Sequence, residues 1–357
     1  MTLSLVEKIA DALLYEGYIL YPYRPSAVKN QQRWNFGALC PHSYSQAQGA
    51  TESWNMQTEC LVEALADTSL SVKVRFLHLL TRELGVPKAD FKGSELGQAN
   101  FPAWVSASDF RIVPSLEVNG KLLQTWQEAT EREVSLTVNN LNEVADRARG
   151  LTFSFPATEK IELLRDESNG QTVGALIRRQ QAIEGVIEVT AQHIRGDGYK
   201  VSIQILNLTL FEDASQKSRD EALMRSFVST HTILNVRNGE FVSLLDPPEN
   251  FREAAAGCNN IGTYPVLVGE DGRRDCMLSS PIILYDYPQI APESAGNLFD
   301  GTEIDEILTL RIMTLTEDEK REMRGADERA RQILERTETL PLEQLMKMHG
   351  AMKSVKR

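Results

Sequence analysis

The chain contains little cysteine. Its 357 residues include four, Cys40, Cys60, Cys258 and Cys276, at wide spacings. This pattern is typical of reduced thiols in a cytoplasmic protein and not of a disulfide framework. Long apolar runs are also missing, since no stretch approaches the roughly 18 apolar residues that a membrane span requires. The first residues lack the basic and continuous apolar regions of a secretory signal. We therefore expect a cytoplasmic protein without a membrane span.

The chain has fewer basic than acidic residues. Lys and Arg number 38 against 50 Asp and Glu, which leaves a net charge of -12. The basic doublets at 178–179 and 273–274 are short and stand apart from other basic clusters. Because a protein that binds nucleic acid usually presents a basic patch, we expect no nucleic-acid partner. Apolar residues make up 42% of the chain, which is enough for a substantial core.

The common catalytic and nucleotide-binding motifs are missing as well. The chain has neither of the two common glycine-rich phosphate loops, no G-x-S-x-G nucleophile elbow and no calcium-loop pattern. Carboxylates are plentiful near residue 300 and could do acid–base chemistry. However, Glu303, Asp305 and Glu306 fall in the first turn of a predicted helix, where acidic side chains favour the helix dipole. These carboxylates therefore do not indicate a reaction.

Two minority hypotheses involve the cysteines. Cys40 and His42 could supply two metal ligands from one loop, and Cys258 and Cys276 could complete a site for zinc or an iron–sulfur species. Only one short ligand spacing is present, and free cysteine is commonly a small buried apolar residue, so we predict no cofactor. Alternatively, Cys258 could act as a nucleophile with His231 or His42 in an enzymatic pocket near the loops of Cys40 and Cys258.

Turn signals between apolar runs predict antiparallel β structure. Asn-Gly and Asp-Gly pairs tolerate the positive φ of two-residue hairpins, and they occur at 119–120, 169–170, 238–239 and 271–272. The clearest predicted hairpin joins residues 232–237 to 240–245. Further predicted strands cover residues 55–65, 70–80, 183–194, 199–210, 265–268 and 281–285, and the last two look buried. Repeated hairpins imply antiparallel sheets, because parallel strands need long crossovers.

Capping residues predict helices on both sides of these strands. Ser4 and Glu7 form a capping-box pair at the start of the first helix, and Gly17 ends it. Between two strand regions, a helix over residues 214–227 begins after Asp213.

The C-terminal quarter is predicted to be mainly helical. Thr302 begins a short helix, and Thr316 with Glu319 begins a helix dense in charge over 317–336. This charged helix is either a solvated surface element or a docking element. A last helix begins near Pro341. We expect an α+β fold of antiparallel β sheets joined by hairpins, with flanking helices and a helical C-terminal tail. The predicted units are a body over 1–315, which could divide near 150, and a charged tail over 316–357.

An aromatic stretch follows the first helix. Exposed Tyr, Trp and Arg side chains contribute most of the binding energy at protein interfaces. On that basis, the candidates for partner contact are Tyr18, Tyr21, Tyr23, Arg24, Arg33 and Trp34. The alternative is that these side chains fill the core, and the sequence favours neither.

Two segments of the chain resemble a known protein family. One covers residues 11–37, DALLYEGYILYPYRPSAVKNQQRWNFG, and the other covers 278–294, LSSPIILYDYPQIAPES, and continues over 298–311, LFDGTEIDEILTLR. Both are similar to an uncharacterised bacterial family encoded in the gene clusters of uptake [NiFe]-hydrogenases. The resemblance extends over nearly the whole chain and is clearest in these segments.

The resemblance implies a role in hydrogenase assembly, maturation or scaffolding, and it assigns no catalytic residue. The chain lacks the nucleotide loop of the nickel-insertion GTPases, the cysteine at position 2 of the small cofactor chaperones and the paired C-x-x-C zinc site of the nickel carriers. We therefore expect a non-enzymatic accessory protein that binds a [NiFe]-hydrogenase subunit, its precursor or a maturation factor.

Overall fold

The fold is mixed α+β, as the sequence predicts. The computed structural model describes residues 2–31, 33–34, 36–91, 105–145, 147–194, 196–290, 298, 305–341 and 343. In this part of the chain, 11 strands form one antiparallel sheet and two more form a hairpin. None of the described helices is long and apolar enough to cross a membrane.

The strands account for most of the middle of the chain. They are β1 (Asn55–Pro87), β2 (Phe110–Val113), β3 (Ser115–Val118), β4 (Lys121–Gln124), β5 (Trp126–Val138), β6 (Arg149–Phe155), β7 (Thr158–Arg165), β8 (Thr172–Gln180), β9 (Ile183–His193), β10 (Gly198–Asn207), β11 (Val228–Val242), β12 (Tyr264–Leu267) and β13 (Cys276–Ser280). The sheet order is β12-β13-β11-β1-β10-β9-β6, while β2, β5 and β8 also pair with β1, and β7 pairs with β8. The predicted pair of strands over 183–194 and 199–210 is therefore confirmed.

The helices lie mainly at the two ends of the chain. They are α1 (Thr2–Leu14), α2 (Val28–Gln31), α3 (His42–Ala47), α4 (Arg219–Leu223), α5 (Arg252–Ala256), α6 (Asp305–Met313), α7 (Glu317–Ala326) and α8 (Glu328–Glu338). Short 3-10 turns cover Ala107–Asp109, Leu141–Val144, Ala214–Gln216 and Glu249–Phe251. The predicted start at Thr302 lies outside the described residues, as does the last predicted helix beyond Pro341 apart from residue 343.

The long strand β1 organises the core. Its first part pairs with β10 and its second part with β5, while β11 borders it on the other side. The two predicted strands over 55–65 and 70–80 are thus parts of one element. Phe76, at the middle of β1, packs its ring 4.7 Å from that of Phe227 and 6.0 Å from that of Phe153. Burial of these rings and their aliphatic neighbours supplies the main apolar stabilisation of the sheet.

Three of the four predicted Asn-Gly and Asp-Gly turns connect paired strands. Asn119 and Gly120, both with positive φ, join β3 to β4. Gly170 lies in the connection between β7 and β8, and Gly272 in that between β12 and β13, again with positive φ. The turns predicted at these three pairs are therefore confirmed.

The predicted hairpin at Asn238-Gly239 is wrong. Strand β11 runs straight through it and stays paired with β1, with Arg237 opposite Ser69 and Gly239 opposite Ala64. Asn238 has a φ of 56°, so the pair's conformational freedom serves a bulge in the ladder instead of a reversal. Some bulges and the two-residue hairpin turns share this use of positive φ, which is why the sequence pattern alone does not separate them.

Several predicted boundaries also differ. Helix α1 already includes Thr2, so Ser4 lies inside it. The helix over 214–227 is a 3-10 turn followed by α4, which Ser218 caps, whereas Asp213 has a φ of 51° and makes no capping hydrogen bond. The serine–glutamate pair at 218 and 221 is a stronger capping signal than an isolated aspartate.

The charged C-terminal segment packs against the body. Thr316 and Glu319 form the predicted capping box of α7. The predicted single helix breaks at Asp327, which caps α8 instead. Met323, Ala326, Ala330, Ile333 and Leu334 are buried in the same cluster as Tyr15, Tyr18 and Trp126. Apolar residues on one face of α7 and α8 thus close the core over the N-terminal segment.

Candidate functional site

Most of the aromatic candidates lie in the core. Tyr18, Tyr23, Arg33 and Trp34 are each at most 5% exposed, so in this conformation their side chains are not available to a partner. Tyr21 is half-buried, and Arg24 pairs with Glu319 and Glu322 of α7 at 3.2 and 3.8 Å. The core-filling alternative therefore describes four of the six residues. The reason is that α7 and α8 cover the segment, a long-range contact that local sequence does not reveal.

The Arg33 side chain is buried against an aromatic ring and donates hydrogen bonds to two backbone carbonyl oxygens. Its guanidinium lies 3.7 Å from the centre of the Trp126 ring and donates to the carbonyl oxygens of Tyr18, at 2.8 Å, and Gln127, at 2.9 Å. Burial lowers the pKa of Arg33 to about 10, so the group remains a cation at neutral pH. The Tyr18 hydroxyl in turn donates to the Asp327 carboxylate. These contacts join the aromatic segment to the start of α8.

The proposed metal ligands are not brought together. Cys40 packs with Tyr44 and Phe211, Cys258 packs near Phe251, and Cys276 lies in a third cluster beneath α1. The His42 ring stacks against Trp54 with centres 4.1 Å apart. Among the described residues, no group of three or more His, Cys, Asp or Glu side chains is placed to hold a metal ion. The described structure thus places these three thiols in different apolar clusters and does not assemble the four-ligand set.

The cysteine nucleophile also loses its chemical support. Burial, reinforced by nearby Glu59, raises the pKa of Cys258 to about 11, which keeps its thiol protonated at neutral pH. Burial likewise raises the pKa of Cys40. His231 is fully buried, and its Nδ1 lies 3.0 Å from the carbonyl oxygen of Ser229. A reactive thiol needs the opposite environment, one that favours the thiolate.

One carboxylate near residue 300 has a structural role. Asp286 accepts hydrogen bonds from the Ser243 hydroxyl, at 2.6 Å, and from the Leu267 amide, at 2.8 Å. Asp305 and Glu306 lie in helix α6, and the start predicted for this helix at Thr302 lies outside the described residues. Glu293, Asp300 and Glu303 lie outside the described residues.

A cavity lies where the segment over residues 11–37 meets the stretch that begins at Leu278. It has a volume of about 260 Å³. Its lining includes Phe36, Gly37, Tyr264 and Pro281, together with the ion pair between Arg219 and Glu52, whose Nε and Oε1 atoms are 2.9 Å apart. Gly37 has a φ of 52°, and a Cβ there would lie 2.7 Å from Pro281 Cγ. Only glycine therefore permits this close approach of the two segments.

A second contact joins the same two segments. The Tyr23 hydroxyl donates to the Leu298 carbonyl oxygen at 2.9 Å, and the Arg311 guanidinium lies 5.4 Å from the centre of the Tyr21 ring. Residues that are more than 240 positions apart in the sequence thus form one continuous region.

Exposed apolar side chains lie at the cavity and along the chain that follows Pro281. Phe36 is 41% exposed and Tyr264 46%, and beyond Pro281 the chain presents Ile283 at 72% and Tyr285 at 85%. The segment over 281–285 was predicted as a buried strand, but strand β13 ends at Ser280 and two side chains of this segment point outward. We name Phe36, Tyr264, Ile283 and Tyr285 the docking surface. Its residues were missed because an apolar run carries no signal that distinguishes a buried strand from an exposed segment.

A further cavity, of about 390 Å³, lies beside Trp34. Its lining includes Arg33, Trp34, Trp126, Glu83 and Asp220. Since Arg219 lines the first cavity and Asp220 the second, the start of α4 lies between them. Of the predicted contact residues, Arg33 and Trp34 therefore border a cavity although little of either is exposed.

Comparison with known proteins adds no identification. No family model matches the chain, and no curated protein matches it significantly.

Proposed function

We propose that the protein is a non-enzymatic accessory factor, acting in the bacterial cytoplasm, that binds a [NiFe]-hydrogenase subunit, its precursor or a maturation factor. The role in hydrogenase biogenesis rests on the resemblance of residues 11–37 and 278–311 to the family encoded in hydrogenase gene clusters. The observation that carries the binding role is that these two segments meet at the docking surface, where Gly37 lies against Pro281.

The chemistry of this surface suits a polypeptide partner. Three aromatic side chains, Phe36, Tyr264 and Tyr285, and the aliphatic Ile283 are exposed, and two of the aromatic side chains line the cavity. Clustered exposed apolar side chains are characteristic of protein interaction sites, and buried aromatic anchors supply much of the binding free energy. The net charge of -12 additionally favours a partner with a basic surface.

Capture of a hydrogenase subunit tests the proposal. The tagged protein is purified from cells that express a [NiFe]-hydrogenase, alongside a double variant, Ile283→Ser with Tyr285→Ser. Both side chains are exposed, so the variant should fold, while the loss of two contact residues should reduce the recovered subunit by about tenfold or more. Leu210→Ser is the matched control, since Leu210 is 79% exposed but lies outside the docking surface.

Equal recovery with the double variant would reject the docking surface. Failure of the unaltered protein to recover any hydrogenase subunit or maturation factor would reject the role itself.

A further inference from the structure

The backbone of the docking surface has unused hydrogen-bonding groups. Within the described chain, the N–H and C=O groups of Ile283, Leu284 and Tyr285 form no hydrogen bond to another residue. Exposure alternates along the three residues, since Ile283 and Tyr285 point outward while Leu284 packs against the cluster beneath α1. Such alternation is typical of an extended strand with one face on the core.

Both ends of this segment are anchored. Before it, the Ser280 hydroxyl donates to the Ile282 carbonyl oxygen at 2.7 Å. After it, Asp286 accepts from the Leu267 amide, and the Tyr287 amide donates to the Leu267 carbonyl oxygen at 2.8 Å. The three residues are thus presented by a fixed frame, which reduces the conformational entropy that a partner must remove on binding.

We propose that Ile283, Leu284 and Tyr285 accept an extended segment of the partner by β-strand addition. The inference rests on the proposed docking role of this surface and adds how the partner is held. In strand addition, main-chain hydrogen bonds supply affinity and pockets for alternate side chains supply specificity.

The neighbouring cavity offers such a pocket. Ile283 is two residues from Pro281, which lines the cavity, so the Cα atoms of the two residues are at most about 7 Å apart. The aromatic rim of Phe36 and Tyr264 suits an apolar side chain of the added strand. Because the protein carries a net charge of -12, we assign basic residues to the alternate, solvent-facing positions of the partner segment.

A designed peptide tests this mode without any hydrogenase. The probe is a fluorescein-labelled nonapeptide that alternates valine and lysine, titrated into the full-length protein and followed by fluorescence anisotropy. A matched peptide carries N-methyl groups on alternate amides, which removes backbone donors but keeps every side chain. We expect the first peptide to bind about tenfold or more tightly than the N-methylated one, since strand addition depends on the main chain. The Ile283→Ser and Tyr285→Ser double variant should weaken binding by a similar factor, and Leu210→Ser should not.

The outcomes separate the inference from the proposed function. Equal binding of the two peptides, or no binding of either, would overturn strand addition even if the protein captures a hydrogenase subunit. Selective binding of the unmodified peptide supports strand addition, and it does so even if no hydrogenase subunit is captured.

Discussion

The Tyr18 hydroxyl donates a hydrogen bond to the carboxylate of Asp327 across 309 positions of sequence. The same carboxylate oxygen lies 3.3 Å from the Trp126 indole nitrogen, and the other oxygen accepts from the Ala330 amide at 2.8 Å. One aspartate therefore caps helix α8 and fixes it to the aromatic segment.

Tyr18→Phe should destabilise the protein. The change leaves the buried Asp327 carboxylate without one donor, which costs about 1–3 kcal/mol of unfolding free energy. Urea unfolding of the variant measures this loss. Tyr21→Phe is the control, because Tyr21 is half-buried and removed from Asp327, and it should change stability by less than about 0.5 kcal/mol. Equal stability of Tyr18→Phe and the unaltered protein would show that the contact does not stabilise the docked helices.

Gly325→Ala should also destabilise the protein, although alanine has the higher helix propensity. Gly325 lies in α7, where alanine is intrinsically favoured by about 1 kcal/mol. A Cβ at this position, however, collides with the Leu122 carbonyl oxygen of β4. Overpacking of this kind typically costs about 1–3 kcal/mol, so we expect a net loss in urea unfolding.

Gly257→Ala is the matched control for that change. Gly257 ends helix α5 with a φ of -86°, and the nearest atom to an added Cβ is 3.4 Å away. We expect a change of less than about 0.5 kcal/mol. A stabilising Gly325→Ala would mean that α7 does not approach β4 closely in solution.

Stability should fall as the pH is lowered from 7 to 5. Burial lowers the pKa of His231 to about 4, and burial with the nearby Arg132 charge lowers that of His78 to about 4. In the unfolded chain a histidine has a pKa of about 6.5. Between this pH and the lower pKa of the folded state, the unfolded chain binds more protons than the folded protein, so lowering the pH favours unfolding. Each histidine should contribute about 2 kcal/mol of loss over this range.

The slope with pH is the quantity to measure. Urea unfolding at pH 7 and pH 5 should show a smaller difference for His231→Asn than for the unaltered protein, whatever the variant's absolute stability. An unchanged difference would mean that His231 is not buried as a neutral ring.

Cys258 should alkylate slowly at neutral pH. Its pKa of about 11, raised by burial and by Glu59, leaves little thiolate. Iodoacetamide at pH 7 should therefore modify Cys258 at least about tenfold more slowly than free cysteine, followed by mass spectrometry of the labelled peptide. Faster modification than free cysteine would restore the enzymatic alternative.

Local signals predicted much of the sheet. The turns at 119–120, 169–170 and 271–272 and the strand pair 183–194 and 199–210 depend on residues near one another in sequence. The same holds for the capping box of Thr316 and Glu319. Local patterns failed at Asn238. Its positive φ is compatible with both a hairpin turn and a bulge, and in the structure it belongs to a bulge in β11.

The candidate site was less predictable. Tyr18, Arg33 and Trp34 have the composition of an interface, but α7 and α8 arrive from the far end of the chain and cover them. Ile283 and Tyr285 have the composition of a buried strand, yet they are 72% and 85% exposed.

The sequence by itself determined the fold class, most of the turns and the capping box of Thr316 and Glu319, because propensity and capping act over a few residues. Only the tertiary structure decided which apolar side chains are buried and which form a surface. Burial depends on contacts between distant segments, such as Gly37 with Pro281 and Tyr18 with Asp327, and a one-dimensional pattern does not specify such contacts.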